Sequence, residues 1–291
     1  MKTVPKIDIH VHTTPEALIH RSDGSTYATP RELRQMYDQI GVERALLLPS
    51  IHELSMRETR DLVRSNPDVF GWWFMNLSPR QLNSDPDADF SRIFRELMAH
   101  GARGIGEVCE NMYFDDPLML NFFRHAEKCG LPLTFHIGNM GKDYGIVDEL
   151  GLPRLEKVLG MFPRLIFLGH SQKFWAEIGA CDEESRKGYP KGKVIPGRLV
   201  ELMRKYPNLH GDLSAGSGCN AIMRDPDFGY TFLEEFQDRL YYGTDICDPR
   251  NITNPMLRLS GFLDDAMQTG KISYAAYEKI SRGNALNLLE K

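Results

Sequence analysis

The feature that most constrains the fold is a regular alternation of short apolar runs with longer amphipathic segments. The short runs are rich in β-branched and aromatic residues, which is typical of buried strands in a parallel sheet. We predict strands over residues 6–12, 43–49, 70–77, 102–108, 131–137, 165–170, 209–214 and 240–245. Strands that alternate with helices in this way indicate an α/β protein. A count of eight predicts a single (β/α)8 TIM barrel that forms one domain over residues 1–291.

The segments between the strands carry signals for helix ends. Thr29 and Asp116 are N-cap residue types, and each is followed by proline, which suits the first turn of a helix. We predict helices over residues 30–40, 117–129, 196–206 and 272–289. The longest irregular segments are predicted at residues 13–29, 171–195 and 215–230. All three follow strands, so they are expected at the C-terminal face, where such barrels build their active sites.

Composition and charge exclude several classes of function. The net charge of −5 provides no basic surface for nucleic acid, and we predict no nucleic-acid partner. No apolar run approaches the roughly 20 residues that span a bilayer, so no membrane partner is expected. Five cysteines without CxxC spacing argue against a disulfide framework and favour the cytoplasm. The oligomeric state, a homo-oligomer included, stays open.

Five side chains that can bind a metal ion stand at the ends of predicted strands. They are His10, His12, His136, His170 and Asp245. A single histidine at such a place is more often a hydrogen-bonded core residue. However, His10 and His12 are spaced i, i+2 on one strand, so both imidazoles point to the same face and can bind one ion together. Burying them beside a carboxylate without a cation is costly. The pattern therefore indicates a metal-dependent enzyme.

These residues also carry a resemblance to a known family. The chain resembles the amidohydrolase superfamily, in the amidohydrolase 2 branch that includes aminocarboxymuconate semialdehyde decarboxylase and related hydrolases and lactonases. The matching segments are Asp8-Ile-His-Val-His12, His136, Gly169-His170 and Gly243-Thr-Asp245 at strand ends, together with the C-terminal segment 281–289. They follow in the right order over nearly the whole chain, so the resemblance is specific although HxH alone is weak.

The resemblance implies a distorted (β/α)8 barrel with a divalent metal at its C-terminal mouth. The ion is usually zinc, Mn2+ is an alternative, and one or two ions are compatible with the pattern. By the family pattern His10, His12, His136 and Asp245 hold the metal, while His170 orients or polarises beside the metal-bound water. His136 and His170 can instead both be ligands. Asp245 is also expected to accept the proton of the attacking water and to return it to the leaving group.

Two further carboxylates end predicted strands. Glu107 ends the fourth strand, where it either supports or bridges metal ions or accepts a hydrogen bond from a ligating histidine. The sequence leaves both roles open. Asp212 ends the seventh strand, and a structural hydrogen bond is favoured there over a role near the substrate.

The leading hypothesis is a hydrolase that attacks an amide, lactone or ester carbonyl of a small molecule with metal-activated water. The alternative on the same metal site is non-oxidative decarboxylation, or hydration, of an unsaturated or aromatic carboxylic acid. A non-catalytic metal- or ligand-binding barrel is the alternative of another class. Anionic or aromatic groups of the substrate are expected to meet rim residues after strands three, six and seven, namely Arg80, Lys173, Trp175 and Arg224.

Overall fold

The computed structural model describes residues 2–15, 24, 26–49, 55–141, 144–254 and 257–290. The chain divides into two units. The first comprises Met1–Trp73 with Asp212–Lys291, and the second comprises Phe74–Gly211. Part of the predicted irregular segment 13–29 lies outside the described residues.

The strands confirm the predicted succession, with small differences at their ends. In the first unit β1 pairs with β2 and β2 with β3, and in the second β4 pairs with β5, β5 with both β6 and β7, and β7 with β8. All of these pairs are parallel, as expected of strands joined by helical crossovers. Among the strands in the described part of the chain, only the two-residue β6 was not predicted. The strands are β1 Lys6–Val11, β2 Val42–Leu47, β3 Phe70–Met75, β4 Ala102–Val108, β5 Leu133–Gly138, β6 Ile146–Val147, β7 Phe167–His170, β8 Leu209–Asp212 and β9 Leu240–Tyr241.

Two helices begin where their predicted capping residues indicate. Thr29 forms a capping box with Glu32 at the start of α1, and Asp116 caps α5. No helix in the described ranges is long and apolar enough to cross a membrane. The helices are α1 Pro30–Ile40, α2 Met56–Ser65, α3 Pro79–Leu82, α4 Ser91–Ala99, α5 Pro117–Cys129, α6 Pro153–Met161, α7 Gln172–Ala176, α8 Arg198–Lys205, α9 Ala215–Met223, α10 Pro226–Glu235, α11 Arg258–Gln268, α12 Tyr274–Glu278 and α13 Asn284–Leu289, with a π-helical turn at Lys279–Gly283 between the last two.

One predicted irregular segment is helical. Residues 215–230 form α9 and the start of α10 instead of a loop. The sequence Ala215-Gly-Ser-Gly has low intrinsic helix propensity, which explains the wrong prediction. Helix α9 forms because Cys219 and Ile222 on one of its faces are buried. The free energy of this tertiary packing outweighs the low helix propensity. The segment 171–195 also contains the short helix α7 and a 3-10 turn at Ser185–Lys187.

An aromatic core lies behind the histidine-bearing strands of the second unit. Phe135 on β5 makes edge-to-face contacts with Phe114 and Phe174, at 5.1 and 5.6 Å between ring centroids. Successive residues of a strand point to opposite faces, so burial of Phe135 in this core turns the neighbouring His136 to the other face. The core therefore orients the candidate ligand.

The glycine before His170 makes room for this core. A Cβ atom at Gly169 would lie 2.1 Å from Cζ of the buried Phe174 ring. Gly169→Ala is therefore expected to destabilise the protein by about 1–3 kcal/mol, because the overpacked ring must move. The measurement is the free energy of unfolding in urea.

Gly160→Ala is the matched control. Gly160 lies in α6, and an added Cβ there meets only Tyr206 at an ordinary 3.8 Å. The better helix propensity of alanine should leave the stability unchanged or raise it by up to about 1 kcal/mol. Equal stability changes for the two variants would contradict the packing explanation.

Candidate metal centre

The first cluster of candidate ligands lies in the first unit, at the end of β1. The Nε2 atoms of His10 and His12 are 3.1 Å apart. Oδ1 of Asp245 lies 3.7 Å from the first nitrogen and 3.4 Å from the second. The i, i+2 spacing places both imidazoles on one face of the strand, as predicted. Three donor atoms from two distant parts of the chain thus converge.

The hydrogen-bond partners of the Nδ1 atoms determine which nitrogen of each imidazole carries the proton. Nδ1 of His10 lies 2.6 Å from Oδ2 of the fully buried Asp212. Nδ1 of His12 lies 2.7 Å from the carbonyl oxygen of Leu48, which can only accept. Each Nδ1 therefore donates a proton, and in the neutral rings each Nε2 carries a lone pair instead. Two facing lone pairs repel each other unless a cation lies between them.

The donor set fits a tetrahedral metal ion. With zinc–nitrogen distances of about 2.0–2.1 Å, tetrahedral ligand atoms are about 3.3 Å apart. The three separations between His10, His12 and Asp245, from 3.1 to 3.7 Å, bracket this value. Hydrogen bonding of each Nδ1 to a carboxylate or carbonyl is also the arrangement that orients metal-binding imidazoles. The residues present therefore fit a divalent cation.

Asp245 reaches this cluster through an unusual backbone conformation. Its φ is 58°, in the left-handed region that aspartate tolerates better than most residues. Its backbone N–H donates to the carbonyl of His10 at 2.8 Å, and the N–H of His12 donates to the carbonyl of Ile246 at 2.9 Å. These two hydrogen bonds hold the segment after β9 next to β1. The left-handed conformation of Asp245 then directs its carboxylate toward the imidazoles of His10 and His12.

The buried Asp8 holds both parts of the cluster in place. Its carboxylate accepts hydrogen bonds from the backbone N–H of His10 at 3.0 Å and from the hydroxyl of Tyr37 at 2.7 Å. It also accepts from the backbone N–H of Thr244 at 2.9 Å and from that residue's hydroxyl at 2.5 Å. Burial raises the pKa of Asp8 to about 6, although the hydrogen bonds oppose this rise. Asp8 thus links the strand of the histidines to the residue before Asp245.

Thr244→Val is expected to loosen this link. Valine keeps the shape of the side chain but removes the hydroxyl, which donates to Asp8 and accepts from the backbone N–H of Ile246. Losing a buried hydrogen-bonding partner should lower the free energy of unfolding by about 1–3 kcal/mol. Metal affinity should fall as well, because Asp245 is less well positioned. Urea unfolding and metal titration measure the two effects.

Thr244→Ser is the matched control, because it retains the hydroxyl. It should keep metal affinity close to that of the wild type. If the valine variant bound metal as tightly as the serine variant, the positioning role of Thr244 would be wrong.

The second cluster lies in the second unit and contains Glu107, His136 and His170. One ligand atom from each lies within 4.8 Å of the others, an arrangement that can hold a metal ion. Nδ1 of His136 is 2.8 Å from Oε1 of Glu107, and Nε2 of His170 is 3.6 Å from the same oxygen. The two histidines are register partners on the parallel strands β5 and β7, which brings their rings side by side.

Ser171 connects the ends of these two strands. It adopts φ 104°, which is rare for a residue other than glycine. Its hydroxyl accepts a hydrogen bond from the backbone N–H of Ile137 at 3.1 Å. Since Ser171 follows His170 and Ile137 follows His136, this bond joins the two strands next to both imidazoles. Nothing in the sequence marks Ser171 for this role, because a serine after a strand is common.

The predicted rim residues have different surroundings. Arg80 lies on α3 with its side chain 53% exposed, and its Nε donates to the buried Glu110 at 3.0 Å. Lys173 is partly buried on α7, and Arg224 is partly buried at the end of α9. Trp175 is only 2% exposed and packs edge-to-face on Phe174. It is therefore more deeply buried than the exposed Arg80, and its contact with a substrate stays a prediction.

Comparison with known proteins agrees with this architecture. The amidohydrolase family profile (Amidohydro_2) matches residues 7–291. No curated protein matches the chain. A 2,6-dihydroxybenzoate decarboxylase from Rhizobium is similar in structure, with 16% sequence identity, a TM-score of 0.56 and 99% of both chains covered.

Two other solved structures are similar over the same extent. A putative 2-pyrone-4,6-dicarboxylic acid hydrolase from Pseudomonas putida has 13% identity and a TM-score of 0.62, over 99% of this chain and 98% of the other. Amidohydrolase 2 from Bifidobacterium longum subsp. infantis has 14% identity and a TM-score of 0.59, over 99% of both. At these identities the similarity shows the fold, which is the distorted (β/α)8 barrel predicted.

The family profile covers nearly the whole chain, and the members of this family are metal-dependent enzymes. The prediction of an enzyme is therefore confirmed, and the structure contains the histidine and aspartate side chains that a metal site requires. The chain belongs to the amidohydrolase family.

Proposed function

We propose that this protein is a metal-dependent hydrolase that attacks an amide, lactone or ester carbonyl of a small molecule. The observation that carries the proposal is the triangle of donor atoms formed by His10, His12 and Asp245, with sides of 3.1, 3.4 and 3.7 Å. A site for hydrolysis needs ligands that leave one position of the metal open. Three donors from these residues meet that requirement.

The proposed ligands are His10, His12 and Asp245, with His136 as a further ligand by the family pattern. Imidazole and carboxylate donors suit zinc best, and manganese is the alternative. When bound, the ion lowers the pKa of water and polarises the substrate carbonyl. The contact of 2.8 Å between His136 Nδ1 and Glu107 supports the role of Glu107 as a hydrogen-bond acceptor, because it leaves Nε2 of the imidazole for the metal.

In this proposal Asp245 acts as the general base and acid. Its side chain is 26% exposed, so water can reach the carboxylate although its neighbour His10 is buried. The carboxylate takes a proton from the attacking water at one oxygen and returns it to the leaving group. His170, on the adjacent strand to His136, is proposed to orient the water or to polarise the carbonyl.

Decarboxylation of an unsaturated or aromatic acid is the second candidate. It is favoured by the similarity to a 2,6-dihydroxybenzoate decarboxylase and by the half-exposed guanidinium of Arg80, which can bind a carboxylate. Hydrolysis is preferred because the acidic Asp245 stands among the imidazoles, where it can carry a proton in both directions.

Metal analysis combined with a substrate panel tests the proposal. The purified protein should contain a divalent metal and should lose activity when a chelator removes it. Turnover of a lactone, ester or amide supports hydrolysis, and release of carbon dioxide from an aromatic acid supports the alternative. Activity that persists at full rate in the metal-free protein would overturn both.

We also propose that the protein works in the cytoplasm. The support for this proposal is that the five cysteines, all among the described residues, form no disulfide bond, because thiols stay reduced in that compartment. The proposed partner is a small-molecule substrate.

A further inference from the structure

A loop of the second unit has a single buried residue, and that residue is charged. The loop comprises residues 180–196, and its two ends are joined by the N–H of Ala180, which donates to the carbonyl of Ile195 at 2.8 Å. Within residues 180–196 only Arg186 is buried, with 3% of its surface exposed. A charged side chain is rarely buried unless it is paired. The partners of Arg186 therefore show what the loop is attached to.

Arg186 joins two other segments of the same unit. Its Nε lies 2.7 Å from Oε1 of Glu177, which is itself only 1% exposed. Its Nη1 donates to the backbone carbonyl of Asp148 at 3.0 Å. The other carboxylate oxygen of Glu177 accepts from the N–H of Gly151 at 2.9 Å. A buried pair of opposite charges adds little net stability over apolar residues of similar volume, but it fixes the direction of both side chains. The pair with Arg186 therefore sets the position of Glu177.

Glu177 ends a short helix whose other end adjoins the candidate ligands. Helix α7 lies between Ser171 as its N-cap and Glu177 as its C-cap. The hydroxyl of Ser171 accepts from the N–H of Phe174 at 3.4 Å, and the N–H of Glu177 donates to the carbonyl of Phe174 at 3.3 Å. Because so short a helix moves as one body, a displacement of Glu177 also displaces Ser171.

The conformation of Ser171 needs support from its surroundings. Its φ of 104° costs free energy in a residue with a Cβ atom and persists only where neighbouring contacts hold it. One of these contacts is the hydrogen bond from the N–H of Ile137, the residue after His136. Another is the bond from the N–H of Trp175 in α7 to the carbonyl of Ser171, at 3.1 Å. Loosening of α7 therefore frees the strand ends that carry His136 and His170.

We propose that Arg186 is a positioning residue for the candidate ligands His136 and His170. It acts by holding Glu177, which fixes α7 and with it Ser171. A loop of exposed residues thereby influences the metal centre through its one buried side chain. The inference rests on the proposed function, because His136 is a metal ligand only in that proposal.

Arg186→Met tests the proposal, because it removes the charge and keeps much of the volume. In the metal-free protein, hydrogen exchange at the N–H of Ile137 should become about 2- to 30-fold faster, the range for effects carried through packed networks. The reference is the N–H of Leu133, which lies on the same strand and donates to the carbonyl of Ile166. A merely structural role would accelerate exchange at both amides alike. Zinc affinity, measured by competition with a chelator, should fall by a factor in the same range, because His136 is less well positioned.

Three further variants complete the comparison. Arg186→Lys retains a cation for Glu177, so it should lie closer to the wild type than Arg186→Met in both measurements. Lys187→Met changes an exposed residue of the same loop that pairs with Glu184, and it should equal the wild type. If Arg186→Met does not fold, Glu177→Gln weakens the same pair while keeping the size of the side chain. It should change both measurements in the same direction.

The positioning role is overturned if the variants that disrupt the pair leave zinc affinity unchanged, or if exchange at Ile137 accelerates no more than exchange at Leu133. The proposed function fails in a different way. A wild type that binds no zinc refutes the metal centre, while exchange at Ile137 that depends on Arg186 still supports the link between the loop and the strand ends. A zinc-loaded, active hydrolase in which neither measurement responds to Arg186 refutes the positioning role alone.

Discussion

Replacement of Asp245 by asparagine is expected to reduce kcat by about 10²- to 10⁴-fold, the range for loss of a general acid–base group. The amide oxygen can still occupy the position of Oδ1, 3.4 Å from Nε2 of His12. It cannot accept and return a proton at neutral pH, however. Steady-state kinetics on the substrate found in the panel, with metal content measured in parallel, checks this result.

The matched control is Asp238→Asn. Asp238 is exposed and pairs with Lys279 at the surface. The Asp238→Asn variant should therefore have the same kcat as the wild type. Unchanged kcat in Asp245→Asn would show that another group carries the proton. Loss of the metal from Asp245→Asn, with activity restored when added metal refills the site, would instead assign Asp245 a purely ligating role.

Replacement of His12 by alanine is expected to cause the largest loss of metal affinity. It removes one of the three donors of the first cluster, so the loss should exceed the roughly 10–100-fold that removal of an outer hydrogen-bonding partner costs. The protein should still fold, because His12 lies beyond the last residue of β1 and its side chain is not fully buried. Elemental analysis after dialysis and competition with a chelator measure the affinity.

Two further variants provide reference values for the loss of metal affinity in His12→Ala. Asp212→Asn weakens the acceptor for Nδ1 of His10 and should reduce metal affinity by the smaller, roughly 10–100-fold factor. His100→Ala, at an exposed histidine after α4, should have no effect. Stoichiometric metal in His12→Ala would remove His12 from the ligand set.

The succession of strands and helices could be predicted from the sequence because its signals are local. Thr29 and Asp116 cap helices whose starts were predicted to the residue, since a cap depends only on the adjacent turn. The HxH spacing of His10 and His12 predicts that both imidazoles share one face, because side chains alternate along every strand. Local signals failed at residues 215–230, where burial stabilises a helix that propensity disfavours.

The sequence by itself determined which residue types can bind a metal, where the strands that carry them lie, and the family to which the chain belongs. Tertiary structure alone decided that Asp212 and the carbonyl of Leu48 take the Nδ1 protons of the histidines, that Asp8 and Thr244 position Asp245, and that Trp175 is buried. The physical reason is the distance along the sequence over which each interaction acts. Caps and strand periodicity act between near neighbours, whereas protonation and ligand geometry depend on contacts between residues as much as 236 positions apart.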